Sequence, residues 1–256
     1  MLNNQSWFAV KGITMSRKLL RIGCGLIVAF VAGQTVSAQG AEGERFEITS
    51  IKAVRPTLIK TISELEKRDA AAAQTAFAAY DSAWNGIETY VNVRSKPMYD
   101  ALEHGFQARI EKALASSTPD LAAVLEDAKA MLIKFDEMVD LVAKSAPLNP
   151  LYDDVARLRI VRSHLREVPP ALKAGDFPKA RKSFEEFDAN WDSIEDLIKA
   201  RSADAYVEIE KGMIEIEHAL MPERPDVAHA TALINSVMGR YNATLAEIAK
   251  EARARR

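Results

Sequence analysis

Residues 184–212 read FEEFDANWDSIEDLIKARSADAYVEIEKG, and residues 77–105 read FAAYDSAWNGIETYVNVRSKPMYDALEHG. A constant offset of 107 residues superimposes the two without a gap. It places Phe77 on Phe184, Asp81 on Asp188, Trp84 on Trp191, Glu88 on Glu195, Arg94-Ser95 on Arg201-Ser202, Tyr99 on Tyr206 and Glu103 on Glu210. The same offset runs upstream, carrying Val54-Arg55 onto Val161-Arg162, Leu58 onto Leu165 and Asp69 onto Asp176. The expected architecture is therefore two homologous copies of one unit. The period is far from the roughly 34 residues of a tetratricopeptide unit, so the local likeness of residues 171–187 to one is set aside.

Apolar residues in both stretches recur at helical spacing, and no segment alternates with period two. From Ile51 onward glycine is reduced to Gly86, Gly105, Gly175, Gly212 and Gly239, while Ala, Leu, Glu and Lys dominate. The expected fold is all-α: two antiparallel bundles of about four helices each, packed about a pseudo-twofold axis. Helices are predicted at 52–67, 69–93, 96–115 and 119–144 in the first copy, and at 151–168, 176–200, 203–220 and 225–252 in the second. Ser95 and Thr118 read as N-caps, with Pro119 opening the fourth helix. Pro169-Pro170 are expected to break or kink the first helix of the second copy. Domain limits follow as 39–51 for a leader, 52–146 for the first repeat and 147–256 for the second.

The first 38 residues hold Lys11, Arg17, Lys18 and Arg21 and no acid, with an apolar run at 22–36 and small residues at Val36-Ser37-Ala38. That pattern reads as a secretion signal at 1–38 with Met15 as the expected start, and places the chain in the periplasm. Removing those four from 34 basic residues leaves 30 against 36 acidic, a net charge of about −6. Such a balance disfavours nucleic acid and anionic membrane as partners and suits cations or basic protein surfaces. After cleavage the chain is expected not to be embedded in a membrane. Cys24, the single cysteine, lies in the signal, so disulfides and thiolate chemistry are excluded from the mature chain. There is no Gly-rich phosphate loop, no Gly-x-Ser-x-Gly and no haem-attachment motif, so neither an enzyme nor a haem or nucleotide cofactor is expected.

On the second helix of each copy, Phe77, Tyr80, Trp84, Ile87 and Val91, and likewise Phe184, Phe187, Trp191, Ile194 and Ile198, form one stripe. At about 100° per residue, Asp81, Glu88, Asp188 and Glu195 fall within about 40° of that stripe. On the third helix Glu103, Glu210 and Glu217 do the same against the stripes from Tyr99 and Tyr206. Inward acids need a partner or an ion. One reading makes Glu195, Glu210, Asp188 and Glu217, with Glu88, Glu103 and Asp81 in the first copy, ligands of iron or another divalent cation. The other leaves them as structural networks held by Arg55/Arg162, Arg94/Arg201 and Tyr99/Tyr206, in a metal-free interaction or scaffold protein. Glu215-x-x-His218 faces away from the stripe. His164-x-x-Glu167 has the form of the metal motif of imelysin-type periplasmic proteins, but Thr57 and Lys60 occupy the first-copy positions. Both pairs read as solvated helical faces.

The repeated string Phe-x-x-Phe/Tyr-Asp-x-x-Trp-x-x-Ile-Glu, then Arg-Ser-x-x-x-Tyr-x-x-Ile/Leu-Glu-x-Gly, resembles the soluble extracytoplasmic helical region of the bacterial high-affinity iron permease family. The likeness covers residues 77–105 and 184–212. It implies a periplasmic accessory that delivers or senses iron beside a membrane permease, with Glu88, Glu103, Glu195 and Glu210 as ligands and Asp81 and Asp188 as helpers. The Arg-Glu-x-x-Glu membrane part of that family is absent from this sequence.

Overall fold

Hydrophobic residues at three- and four-residue spacing give the chain its helices, and the computed structural model, which describes residues 44–255, holds no strand among them. The first half comprises α1 (Phe46–Glu66), α2 (Ala70–Arg94), α3 (Lys96–Asp100), a π-helical stretch (Ala101–Gln107), α4 (Ala108–Leu114) and α5 (Leu121–Lys144). The second comprises α6 (Leu151–Lys173), α7 (Phe177–Trp191), α8 (Glu195–Lys199), α9 (Ala203–Leu220) and α10 (Val227–Ala254). The expected signal segment, 1–38, lies outside the described residues.

Local chemistry sets most of the boundaries. Asp69 and Asp176, 107 residues apart, accept the backbone N–H of Ala72 and Lys179 at 2.9 and 3.1 Å. Ser95 and Ser202 do the same for Met98 and Ala205 at 3.3 and 3.1 Å. Thr118 is not a cap: Asp120 is, taking the N–H groups of both Ala122 and Ala123, and α5 starts at Leu121. One carboxylate oxygen there satisfies two orphan donors. α1 begins at Phe46, inside the expected leader, because Ile48 and Ile51 carry its buried stripe back by one more turn.

Each half has its own core, the first around Trp84, Tyr80 and Phe135, the second around Trp191, Phe187 and Tyr241. Buried positions of α1 and α6 correspond at an offset of 107: Ile48 with Val155, Ile51 with Leu158, Val54 with Val161, Leu58 with Leu165, Leu65 with Leu172. In α5 and α10 the offset is 106: Val124 with Ala230, Ala128 with Ile234, Met131 with Val237, Phe135 with Tyr241. The change falls inside the third helix, where Leu102 matches Ile209 at 107 but Ile110 matches Ile216 at 106. One additional residue would rotate everything after it by about 100° away from the core. The π stretch Ala101–Gln107 absorbs it in a wider turn, and the matching part of α9 stays α-helical.

Three expectations are corrected. Pro169-Pro170 do not break α6, which continues to Lys173 because Val168, Ala171 and Leu172 on either side of them are buried in the second core. The helix expected at 176–200 is interrupted between Trp191 and Glu195. Ser193 N–H and Ile194 N–H bond to Asn190 and Trp191 carbonyls three residues back, and Ser193 Oγ donates to Asn190 O at 2.6 Å. The first half has Gly86 at that position and runs straight, since α2 there lies under α6: a Cβ on Gly86 would sit 2.7 Å from Ile160 Cγ1. Finally, the halves are not related by a pseudo-twofold axis. They meet through α2 of the first and α6 of the second, whereas α7 and α1, the reciprocal pair, make no comparable contact among the described residues. The junction is head-to-tail.

Candidate functional site inside the two bundles

The acids expected to converge lie along α2 and the π stretch in the first half, and along α7–α9 in the second. Trp84 and Trp191, each wholly buried in a row of aromatic rings, donate their indole N–H to Glu103 and Glu210. In the first row the rings are stacked, Phe77 and Tyr80 5.5 Å apart and Tyr80 and Trp84 6.2 Å; in the second they are tilted, Phe184 and Phe187 6.4 Å apart and Phe187 and Trp191 6.0 Å. The Trp–Glu bond thus recurs at matched positions of the two halves.

The remaining acids differ between the halves. Glu88 is held by Arg159 Nη1 at 2.9 Å and receives the Tyr99 hydroxyl at 3.5 Å. Asp81 Oδ1 accepts Gln107 Nε2 at 2.6 Å, and its backbone carbonyl accepts Asn85 Nδ2 at 2.8 Å. Asp81 and Glu88 both lie near enough to act on Glu103. Burial, and then proximity to Glu88 and Asp81, raises the Glu103 carboxyl above its ordinary value against the lowering effect of the Trp84 bond. Burial and Glu111 raise Asp81 against Arg166, and burial with Glu88 and Glu103 pushes the Tyr99 hydroxyl up to about 12.

In the second half Asp188 and Glu195 are half-buried, and Glu217 is exposed, outside the stripe of Ile209, Met213, Ile216 and Leu220. The wheel placed Glu217 only about 20° from that stripe, but α10 covers α9 on the side of Gly212, where a Cβ would sit 2.4 Å from Val237 Cγ2. The expectation that Glu217 faces inward with Asp188, Glu195 and Glu210 is therefore corrected. Among the described residues no group of three or more His, Cys, Asp or Glu is placed to hold a metal ion.

The four expected arginines bond to other residues. Arg55 forms a two-bond pair with Asp136 of α5, and Arg162 donates to Asn242. Arg94 is buried against Glu47, and Arg201 pairs with Glu251 at 2.9 Å. Glu47, Gln107 and Arg159 are the residues that sequence reasoning missed. Glu47 lay in a segment read as a leader, Gln107 is turned inward by the π stretch, and Arg159 reaches across the junction from the other half. His164 Nδ1 lies 3.3 Å from Glu186, and Glu167 instead accepts the hydroxyls of Ser82 and Ser183 at 3.3 and 3.4 Å, so His164 and Glu167 do not share one site. Glu215 lies 3.8 Å from Lys211 and, like His218, is exposed.

Because Glu103 binds its proton more tightly folded than unfolded, its contribution to stability is present below the unfolded titration range. That contribution is lost as pH rises through the folded value. Glu103→Gln keeps an acceptor for Trp84 and removes the buried charge. We expect the variant to be at least as stable as the wild type at about pH 7, with the difference closing toward about pH 3 in thermal melts.

No described helix is long and apolar enough to cross a membrane. No family model, curated protein or solved structure matches the chain.

Proposed function

We propose that this chain is a non-catalytic, extracytoplasmic helical scaffold or interaction protein, built from two duplicated four-helix units, whose inward acids are structural. The observation that carries this reading is the pair of Trp–Glu bonds, Trp84–Glu103 and Trp191–Glu210, at equivalent places in both halves. Glu88 with Arg159, and Glu47 with Arg94, extend it: inward carboxylates are answered by donors from the chain itself. A buried acid satisfied in this way fixes helix register and needs no ion.

A second reading, a cation-binding accessory of iron uptake beside a permease, is favoured by one place in the first bundle. There the Tyr80 hydroxyl and Gln107 Oε1 are buried without a partner, near Asp81 and Glu103. Thermal melting of residues 39–256 with ferrous, ferric, manganese and zinc ions separates the two. The scaffold reading expects no ion-specific change in Tm. A saturable rise of roughly 5–10 °C with iron, the effect of a ligand at 100-fold above its Kd, overturns it. Loss of that rise in Asp81→Asn/Glu103→Gln places the ion in the first bundle.

A further inference from the structure

The offset of 106 that superimposes α5 on α10 puts Asn242 on Asp136, while Arg162 falls on Arg55 at 107. In the first half this pair is closed. Arg55 Nε and Nη2 donate to the two carboxylate oxygens of Asp136 at 2.7 and 2.8 Å, which raises the guanidinium and lowers the acid. In the second half Arg162 Nη1 donates to the amide oxygen of Asn242 at 2.8 Å, and Arg162 Nε is buried with no partner. An amide brings no charge to answer the guanidinium.

Two further arginines stand beside Arg162. Arg159 and Arg166 lie on the same side of α6, where the first half carries Lys52 and Ile59. Burial first, then Arg166 and Arg159, lower the pKa of Arg162 against the raising effect of Tyr241 and Glu88, the reverse of Arg55. The side of α10 that carries Asn242 presents Asn235, Gly239 and Ala246 at helical spacing, with no carboxylate; the first half has Lys129, Ile133 and Asp140 there. A Cβ on Gly239 would meet nothing within 4 Å, so α10 is open on that side. The acids that face α6 from α2 are engaged: Glu88 by Arg159, and Asp81 by Gln107 with Arg166 also close to it.

We propose that the face where α6 meets α10 at Arg162 and Asn242 is an anion site for a carboxylate, with Arg162 supplying the charge and Asn242 Nδ2 a neutral donor. The group it takes is the one that Asp136 supplies from within the chain in the first half. A planar monoanion matches a guanidinium fork. Such a carboxylate belongs either to a small organic acid or to a peptide C-terminus, and both offer the same two oxygens.

The test is thermal melting of residues 39–256 at constant ionic strength, with chloride replaced by acetate, and with N-acetyl-alanyl-alanine as free acid or as amide. Titration up to about 100 mM saturates a site of millimolar affinity. The expected result is a saturable rise in Tm of the wild type with acetate or with the free-acid peptide, but not with the amide. Response to acetate assigns a small acid; response to the peptide acid alone assigns a chain terminus. Asn242→Asp rebuilds the internal pair, so it should melt about 1–3 °C higher without any ligand and lose the response. Arg162→Gln should lose the response with Asn242 intact. No saturable rise in the wild type with either carboxylate, or an equal rise in Asn242→Asp, overturns the proposal.

Discussion

Replacing Arg94 with Met is expected to destabilise the protein by about 3–5 kcal/mol, because it leaves a carboxylate buried without its cation. The side chains of Arg94 and Glu47 are 6% and 4% exposed, and Arg94 donates to the Glu47 carboxylate from the end of α2. The same guanidinium donates to Tyr90 O at 3.0 Å and Ala146 O at 3.2 Å, tying the start of α1 to the end of α2 and to the segment before α6. Arg45 lies 3.0 Å from the other Glu47 oxygen, but its own hydrogen bonds run to Val142, Ala143 and Ser145 carbonyls, so it does not replace Arg94. For a chain of this length the loss corresponds to roughly 10 °C in Tm. Arg94→Met/Glu47→Leu should recover most of it, since an apolar pair of similar volume leaves no charge behind. Denaturant melts at neutral pH read both variants.

Trp191→Ala is expected to cost a similar amount, about 3–5 kcal/mol, through the cavity left in the second core. Trp191 is 0% exposed, rings of Phe187, Tyr206 and Tyr241 lie within 6.4 Å of it, and its N–H is the donor for Glu210. Trp191→Phe keeps most of the volume and removes the donor, so its smaller cost, about 1–3 kcal/mol, isolates the polar part. Trp84 holds the equivalent place in the first half, and Trp84→Phe should behave alike.

The internal offset made the fold readable before any coordinates, because one set of apolar positions has to serve two cores. Phe77 with Phe184, Trp84 with Trp191 and Ile87 with Ile194 are buried in both halves. What escaped was whatever breaks the equivalence. The shift from 107 to 106 is concealed in a helix whose apolar spacing still looks regular, and only the π stretch shows where Gln107 turns inward. Gly86 and Ser193 occupy matched positions, yet one lies under a neighbouring helix and the other ends α7, a difference set by tertiary contact.

The inward acids were legible as a set, and Glu103 and Glu210 do face the core, but their partners were not. A helical wheel reports direction, whereas the partner depends on which helix crosses at that height. Arg159 reaches Glu88 from the other half, and Glu47 reaches Arg94 from a stretch too polar to announce a helix. Glu217 shows the same limit from the other side. About 20° of rotation on the wheel separates a core position from an exposed one once α10 is packed against Gly212.

That the inward acids are held by the protein itself is tested most directly by a double-mutant cycle on Trp191 and Glu210. Trp191→Phe, Glu210→Ala and the double variant are melted in the presence of a chelator. A coupling energy of about 1–3 kcal/mol is the expected result, the worth of a hydrogen bond to a charged acceptor measured with no metal present. Coupling near zero in chelator, with a dependence on Glu210 that returns only when iron is added, would contradict the account and make the carboxylate an ion ligand.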